Sequence, residues 1–261
     1  MSAIVVIPAR YSSTRFPGKP LAPLKGTPVI EHVYRNSLNS HLADEVIVAT
    51  DSETIFETVL SFGGKAVMTS PDHVSGTDRI AEVALGLHYD IIVNVQGDEP
   101  LIRPEMIDDV VAVLDDRRAS IGTLAKKINN RSEIFDPNIV KVAFDEEWFA
   151  LYFSRAPIPY HRDLFGDSDR LNLSFSRELP GGRTSELLMF KHVGIYSYRR
   201  DVLLSLTELR PSRLEIVEKL EQLRALENNF RIKVRETLFE TVGVDTPEDL
   251  ERIEKCLNSS L

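Results

Sequence analysis

Cysteine is nearly missing from this 261-residue chain, Cys256 being the one copy. A single thiol closes no internal disulfide, so nothing ties the sequence to an oxidising compartment. Cys256 follows Arg252 by four residues in a helical pattern, where packing suits it better than reactivity. With one cysteine and six scattered histidines, no zinc-ligand spacing exists either. Long apolar runs are absent too. No stretch nears the roughly 20 residues of a membrane span. The apolar Ile4–Ile7 stops at Pro8, too short for a signal-peptide core. The expectation is a soluble, cytoplasmic protein with no membrane insertion. Positive charge is in deficit: 31 Lys+Arg face 40 Asp+Glu, a formal net charge of −9. That balance argues against nucleic acid and anionic membranes as partners, since both need a basic face. Three nucleotide and hydrolase signatures are also missing. There is no G-x-x-x-x-G-K-[ST], no G-x-G-x-x-G and no G-x-S-x-G.

What is present is an alternation of short β-branched runs with helical patterns. Ala3–Ile7, Glu45–Ala49 and Ile91–Val95 are apolar on both faces and read as buried strands. Helical patterns cover Thr27–Leu38, Ser52–Phe62, Asp78–Leu87 and Pro104–Leu114, with Ser52 as a cap and Gly63-Gly64 as a stop. This rhythm predicts an α/β fold with a mostly parallel sheet covered by helices. After about residue 138 the rhythm changes. Ile139–Phe144 and Phe149–Phe153 read as a strand pair, and Lys191–Tyr198 and Arg231–Arg235 as further strands. Arg162–Ser185 is polar and reads as a mobile loop or lid. Ser212–Glu227 reads as one helix with Ser212 and Glu215 as a capping box and Leu214, Val217, Leu220 and Leu223 as its apolar stripe. Thr246 and Pro247 open a last helix. The expectation is a single domain over 1–261 with an inserted lobe over 139–200 and a loop at 162–185.

In an open parallel sheet, ligands bind beyond the carboxyl ends of the strands. After the first strand, the segment Pro8–Pro20 holds Arg10, Arg15 and Lys19 with three hydroxyls and a glycine. Residues 1–30 carry four cations, Lys25 included, and no acid. A local inversion of sign in a chain at −9 suits a polyphosphate cradle; the alternative is a solvated basic loop. After the third central strand, Gln96-Gly97-Asp98-Glu99-Pro100 offers Asp98 as a Mg²⁺ ligand or as a turn residue. Asp245 is a second candidate, because Thr246 already fits the helix cap. Ser75-Gly76-Thr77-Asp78-Arg79 feeds a helix N-terminus and could meet a base or ribose. Arg155 could bind a carboxylate bidentately, and His192 is a lone histidine with structural or catalytic use. Glu218 and Gln222, four apart, would share one helix face.

Eight ordered segments carry a resemblance that covers nearly the whole chain. They are IPARYSSTRFPGKPL (Ile7–Leu21), VATD (Val48–Asp51), SGTDR (Ser75–Arg79), VNVQGDEP (Val93–Pro100), ALYFSRAPIP (Ala150–Pro159), KHVGIYSYR (Lys191–Arg199), EKLEQLRAL (Glu218–Leu226) and VDTPEDL (Val244–Leu250). The sequence resembles the 3-deoxy-D-manno-octulosonate (Kdo) cytidylyltransferases, the CMP-Kdo synthetases. The related sialate cytidylyltransferases share the nucleotide half but usually lack Q-G-D-E-P. The resemblance implies a Rossmann-like nucleotidyltransferase sheet with a smaller sugar-binding or dimerisation region. It implies transfer of CMP from CTP to the anomeric hydroxyl of Kdo for lipopolysaccharide synthesis, with Mg²⁺ as cofactor and a homodimer as the assembly. The 8-amino analogue of Kdo is the alternative acceptor. Residue by residue, Arg10 and Lys19 would hold the triphosphate, with Ala9, Ser13 and Arg15 beside it. Asp98 and Asp245 would hold Mg²⁺, and Ser75 and Arg79 would contact the nucleotide. Arg155, His192, Glu218 and Gln222 would form the sugar-acid pocket, with Gln96 joining them. The catalytic set would be Arg10, Lys19, Asp98 and Asp245. The stretch Arg162–Ser185 is longer than the family usually has; it suits a lid or an oligomer contact.

Overall fold

A computed structural model describes residues 1–12, 16–165, 176–179, 183–186 and 188–259. The strands are β1 (Ala3–Ala9), β2 (Pro23–Leu24), β3 (Thr27–Pro28), β4 (Glu45–Thr50), β5 (Ala66–Met68), β6 (Ile91–Asn94) and β7 (Ile121–Lys127). They continue as β8 (Lys141–Phe144), β9 (Ala150–Ser154), β10 (Ser176–Leu179), β11 (Arg183–Glu186), β12 (Phe190–Arg199) and β13 (Ile232–Glu236). The helices are α1 (Val29–Ser37), α2 (Glu53–Ser61), α3 (Gly76–Leu85), α4 (Pro104–Ala112) and α5 (Arg131–Phe135). After these come α6 (Arg162–Phe165), α7 (Arg200–Glu208), α8 (Arg213–Glu218), α9 (Gln222–Glu227) and α10 (Pro247–Ser259).

The main sheet has the order β13-β7-β12-β6-β1-β4-β5. Its centre is parallel: β1 pairs with both β4 and β6, and β4 with β5. β12 runs against its neighbours β6 and β7, and β13 runs parallel to β7. Six of these seven strands therefore point the same way, as the buried β-branched runs predict. Both faces are covered. In β1, Ala3, Val5, Ile7 and Ala9 pack into one apolar cluster, and Ile4 and Val6 into the other. The alternation of side chains along a strand produces this division.

Winding direction places the crevice. From β1 the chain moves outward to β4 and β5, then returns to β6 on the opposite side of β1. The carboxyl ends of β1 and β6 thus flank the point where the winding reverses, which is where open α/β sheets bind ligands.

Three expectations change. Residues 139–200 do not separate as a lobe, because β8 and β9 extend the main sheet through β12, itself a central strand. The expected loop at 162–185 holds α6 and the antiparallel pair β10–β11 in its described residues. The single helix over 212–227 is two short ones. Lys219 takes a left-handed conformation (φ 56°), and its N–H bonds the Glu215 carbonyl, ending α8 before α9 begins. Val217 is consequently exposed, not part of an apolar stripe, while Leu220 and Leu223 are buried. The predicted starts of α2 and α10 hold: Ile55 N–H donates to Ser52 Oγ at 3.4 Å, and Asp249 N–H to Thr246 Oγ1 at 3.4 Å. No helix among the described residues is long and apolar enough to cross a membrane.

Candidate active site

A cleft of about 390 Å³ opens at the carboxyl ends of β1 and β6. Ala9, Arg10, Ser12, Lys19, Gln96, Gly97 and Asp98 are among its lining residues. Gly97 is required here by close approach. A Cβ at that position would stand 2.8 Å from the Pro8 carbonyl oxygen, so any side chain would force the two strand ends apart. Gly18 (φ 71°) turns the first loop so that its N–H bonds the Tyr11 carbonyl at 2.8 Å. Lys19 then begins a single 3₁₀ turn and reaches back into the cleft.

Lys19 Nζ donates to Asp98 Oδ2 and, at 3.4 Å, to Asp245 Oδ1. Three residues far apart in sequence thereby meet at one point. The backbone arranges it: Val244 N–H donates to the Asp98 carbonyl at 2.8 Å, which lays the start of α10 against the end of β6. Asp249 accepts from the N–H groups of Asp245 and Thr246, each at 3.0 Å, and so fixes the turn that presents Asp245. The neighbouring Glu99 carboxyl is pushed up to about 8, chiefly by burial and then by Asp98. It is neutral near pH 7 and adds no second negative charge beside Asp98.

The pair fits a hard divalent cation. Two carboxylates converge on a single cationic atom, and both keep exposed surface, with side chains 26% and 45% accessible. Mg²⁺ typically takes one or two protein carboxylates and completes its sphere with water and phosphate oxygens. Among the described residues no group of three or more His, Cys, Asp or Glu competes as a metal cage.

Gln96 also lines a second, smaller cavity of about 80 Å³ with Thr77, Asn94, Tyr196, Tyr198, Glu221 and Gln222. The two cavities adjoin through that side chain. Glu221 is the functional candidate that sequence reasoning missed. The left-handed break at Lys219 turns Glu221 and Gln222 together toward this cavity, whereas a continuous helix would pair Gln222 with Glu218. Thr77 Oγ1 donates to Glu221 Oε2 at 3.0 Å, and burial pushes the Glu221 carboxyl upward. Ser75 caps α3 and also bonds Glu221 at 3.4 Å, while its neighbours Gly76 and Thr77 line the two cavities.

Glu218 and Arg155 meet as expected, but in a structural joint. Ser154 Oγ and Arg155 N–H donate to the two Glu218 carboxylate oxygens at 2.6 and 3.1 Å. The Arg155 guanidinium donates to the carbonyls of Glu218, Pro137 and Lys219. His192 stands on β12, beside the bulge between Val193 and Tyr196. The Thr123 hydroxyl donates to the Ile195 carbonyl at 2.8 Å, so its one proton is committed. His192 Nε2, 2.9 Å from that hydroxyl, is then the donor. Burial pushes the imidazole down to about 3, so it is neutral and offers no charge to a carboxylate. Arg79 is a correction. It is fully buried, pairs with Asp51 at 2.7 Å and with Thr69, and lines neither cavity. Ser13 and Arg15 lie outside the described residues.

A crevice at a winding reversal, with cations and two convergent carboxylates, defines a nucleotidyltransferase class of site. The chain belongs to the cytidylyltransferase family, which matches residues 4–255. It is 51% identical to a 3-deoxy-manno-octulosonate cytidylyltransferase of Thermodesulfovibrio yellowstonii, over 99% of each chain. A protein of the same name from Geobacter metallireducens is 51% identical over 99% of this chain and 98% of its own. The solved structure of a CMP:2-keto-3-deoxy-manno-octonic acid synthetase complexed with CTP matches with TM-score 0.88 and 41% identity, covering all of both chains.

Proposed function

We propose that this enzyme transfers CMP from CTP to the anomeric hydroxyl of 3-deoxy-manno-octulosonate, releasing pyrophosphate. The convergence of Lys19, Asp98 and Asp245 carries the reading. It agrees with the family match and with relatives of that name along the whole chain.

Arg10 and Lys19 grip the leaving β,γ-phosphates, so charge is neutralised where it accumulates. Asp98 and Asp245 would hold Mg²⁺, which would supply Lewis-acid polarisation of the reacting phosphate. Lys19 serves as the counter-cation of the carboxylate pair and passes to the phosphates when nucleotide enters. The sugar acid occupies the cavity of Gln96, Glu221 and Gln222, next to the nucleotide cleft. Orienting the two substrates across Gln96 supplies the proximity that phosphoryl-group transfer needs. No covalent enzyme intermediate is required. As part of the same reading, the enzyme is a cytoplasmic homodimer serving lipopolysaccharide synthesis.

The test is pyrophosphate release from CTP with Mg²⁺, with and without the sugar acid. Release that depends on the sugar supports the reading; no release above the sugar-free control overturns it.

A further inference from the structure

The segment 237–246 joins β13 to α10 without a helix or strand of its own, yet it carries Asp245. It borders a cavity of about 910 Å³ lined by Lys126, Lys191 and Glu240 among others, while Val244 is buried in the core and Phe239 and Val242 pack against it. Polar tethers add to this packing. At one end Thr237 N–H donates to the Ala125 carbonyl at 2.8 Å. At the other, Val244 N–H bonds the Asp98 carbonyl. Between them Thr241 hydrogen-bonds the Glu99 carboxyl, and Glu240 carries the charged contacts.

The reason lies in the sheet. Lys191 on β12 and Lys126 on β7 are direct cross-strand partners. Like charges placed opposite each other repel and call for a carboxylate between them. Glu240 supplies it from the strap: one oxygen accepts from Lys191, and the other from Lys126 at 3.3 Å. Lys191 also donates to Glu133 of α5 at 2.7 Å, so its head group is held from two sides. Its side chain is only 13% exposed, whereas that of Glu240 is 50% exposed, so the pair is anchored on the lysine side and open to solvent on the carboxylate side.

We propose that Lys191 is a positioning residue: its ion pair with Glu240 holds the 237–246 strap where Asp245 meets Asp98. The inference rests on the metal reading of those two carboxylates. Residues that orient ligands without touching the metal change affinity or activity by on the order of 10- to 100-fold when lost.

Lys191→Met keeps the length of the side chain and removes its charge. Amide hydrogen exchange at Val244 should rise at least tenfold in that variant, while exchange at β1 and β6 stays unchanged. The Kd for Mn²⁺ in the presence of CTP, read by electron paramagnetic resonance, should rise on the order of tenfold, and kcat should fall with little change in the KM of the sugar. Lys191→Arg should restore all three. Should Lys191→Met fail to fold, Glu240→Gln releases the strap from the other side and should give the same pattern. Unchanged exchange at Val244 in a folded variant overturns the proposal, as does a uniform rise across the sheet. A wild-type protein that binds no Mn²⁺ sinks the metal reading instead, and the exchange measurement still decides where the strap is held.

Discussion

At the scale of single residues, the cleft is governed by one lysine shared between two carboxylates. On the proposed metal reading, Asp98→Asn removes one of the two carboxylates that would hold Mg²⁺ while leaving the Asp245 contact of Lys19 available. Its kcat should fall by on the order of 10²-fold with Tm nearly unchanged, as steady-state kinetics and calorimetry would show. Activity within twofold of wild type would remove Asp98 from the metal. His192 makes a different prediction. Its folded value near 3 lies below the ordinary 6.5. The unfolded chain therefore binds a proton first as pH falls. The associated stability is complete above pH 6.5 and is lost progressively toward pH 3. Between pH 7 and pH 4.5 wild type should lose roughly 2–3 kcal/mol more than His192→Gln, measured by urea unfolding at each pH. Equal losses would mean that the ring is protonated in the folded state.

At the scale of elements, the ends of β1 and β6 are held so close that residue 97 admits no side chain. Gly97→Ala should cost about 1–3 kcal/mol and also reduce kcat/KM for CTP, because both strand ends line the cleft. Full activity at normal stability would show that the loop yields freely. The same elements show why only part of the architecture was legible in the sequence. β1, β4 and β6 announce themselves because a strand buried on both faces must be apolar throughout. Ser52 and Thr246 announce helix starts because their hydroxyls satisfy otherwise unpaired N–H groups. The break at Lys219 left no such mark. LEIVEKLEQLRAL keeps a helical spacing of apolar residues, and nothing in lysine itself announces a positive φ. That one dihedral hid Glu221 and separated Gln222 from Glu218. The β10–β11 pair was hidden because Ser176–Leu179 and Arg183–Glu186 lack the apolar alternation of a half-buried strand. Arg79 misled for another reason: burial of a cation depends on Asp51, twenty-eight positions away, and composition does not reveal that pairing.

For the whole molecule, the net charge of −9 and the cationic first loop pull in opposite directions. Distribution decides the outcome. The cations of the first loop would meet the polyanion at contact distance, while exposed charges elsewhere are screened beyond about 10 Å. Nucleotide binding should therefore be stabilising. CTP with Mg²⁺ at a hundred times its Kd should raise unfolding stability by about 2.7 kcal/mol, and Asp98→Asn should lose most of that gain. A thermal shift equal in the two proteins would place the metal elsewhere.

Lys19 meets Asp98 across 79 positions and Asp245 across 226. The ribosome makes these partners in that order, and the last follows the first by 226 residues. A growing chain can assemble β1, β4, β5 and β6 early, because they are sequence neighbours, and still hold only half of its carboxylate pair. No fragment ending before residue 245 owns the complete constellation. The second acid is thus the last member of the site to be made, and a truncation anywhere before it leaves Lys19 and Asp98 without their third partner.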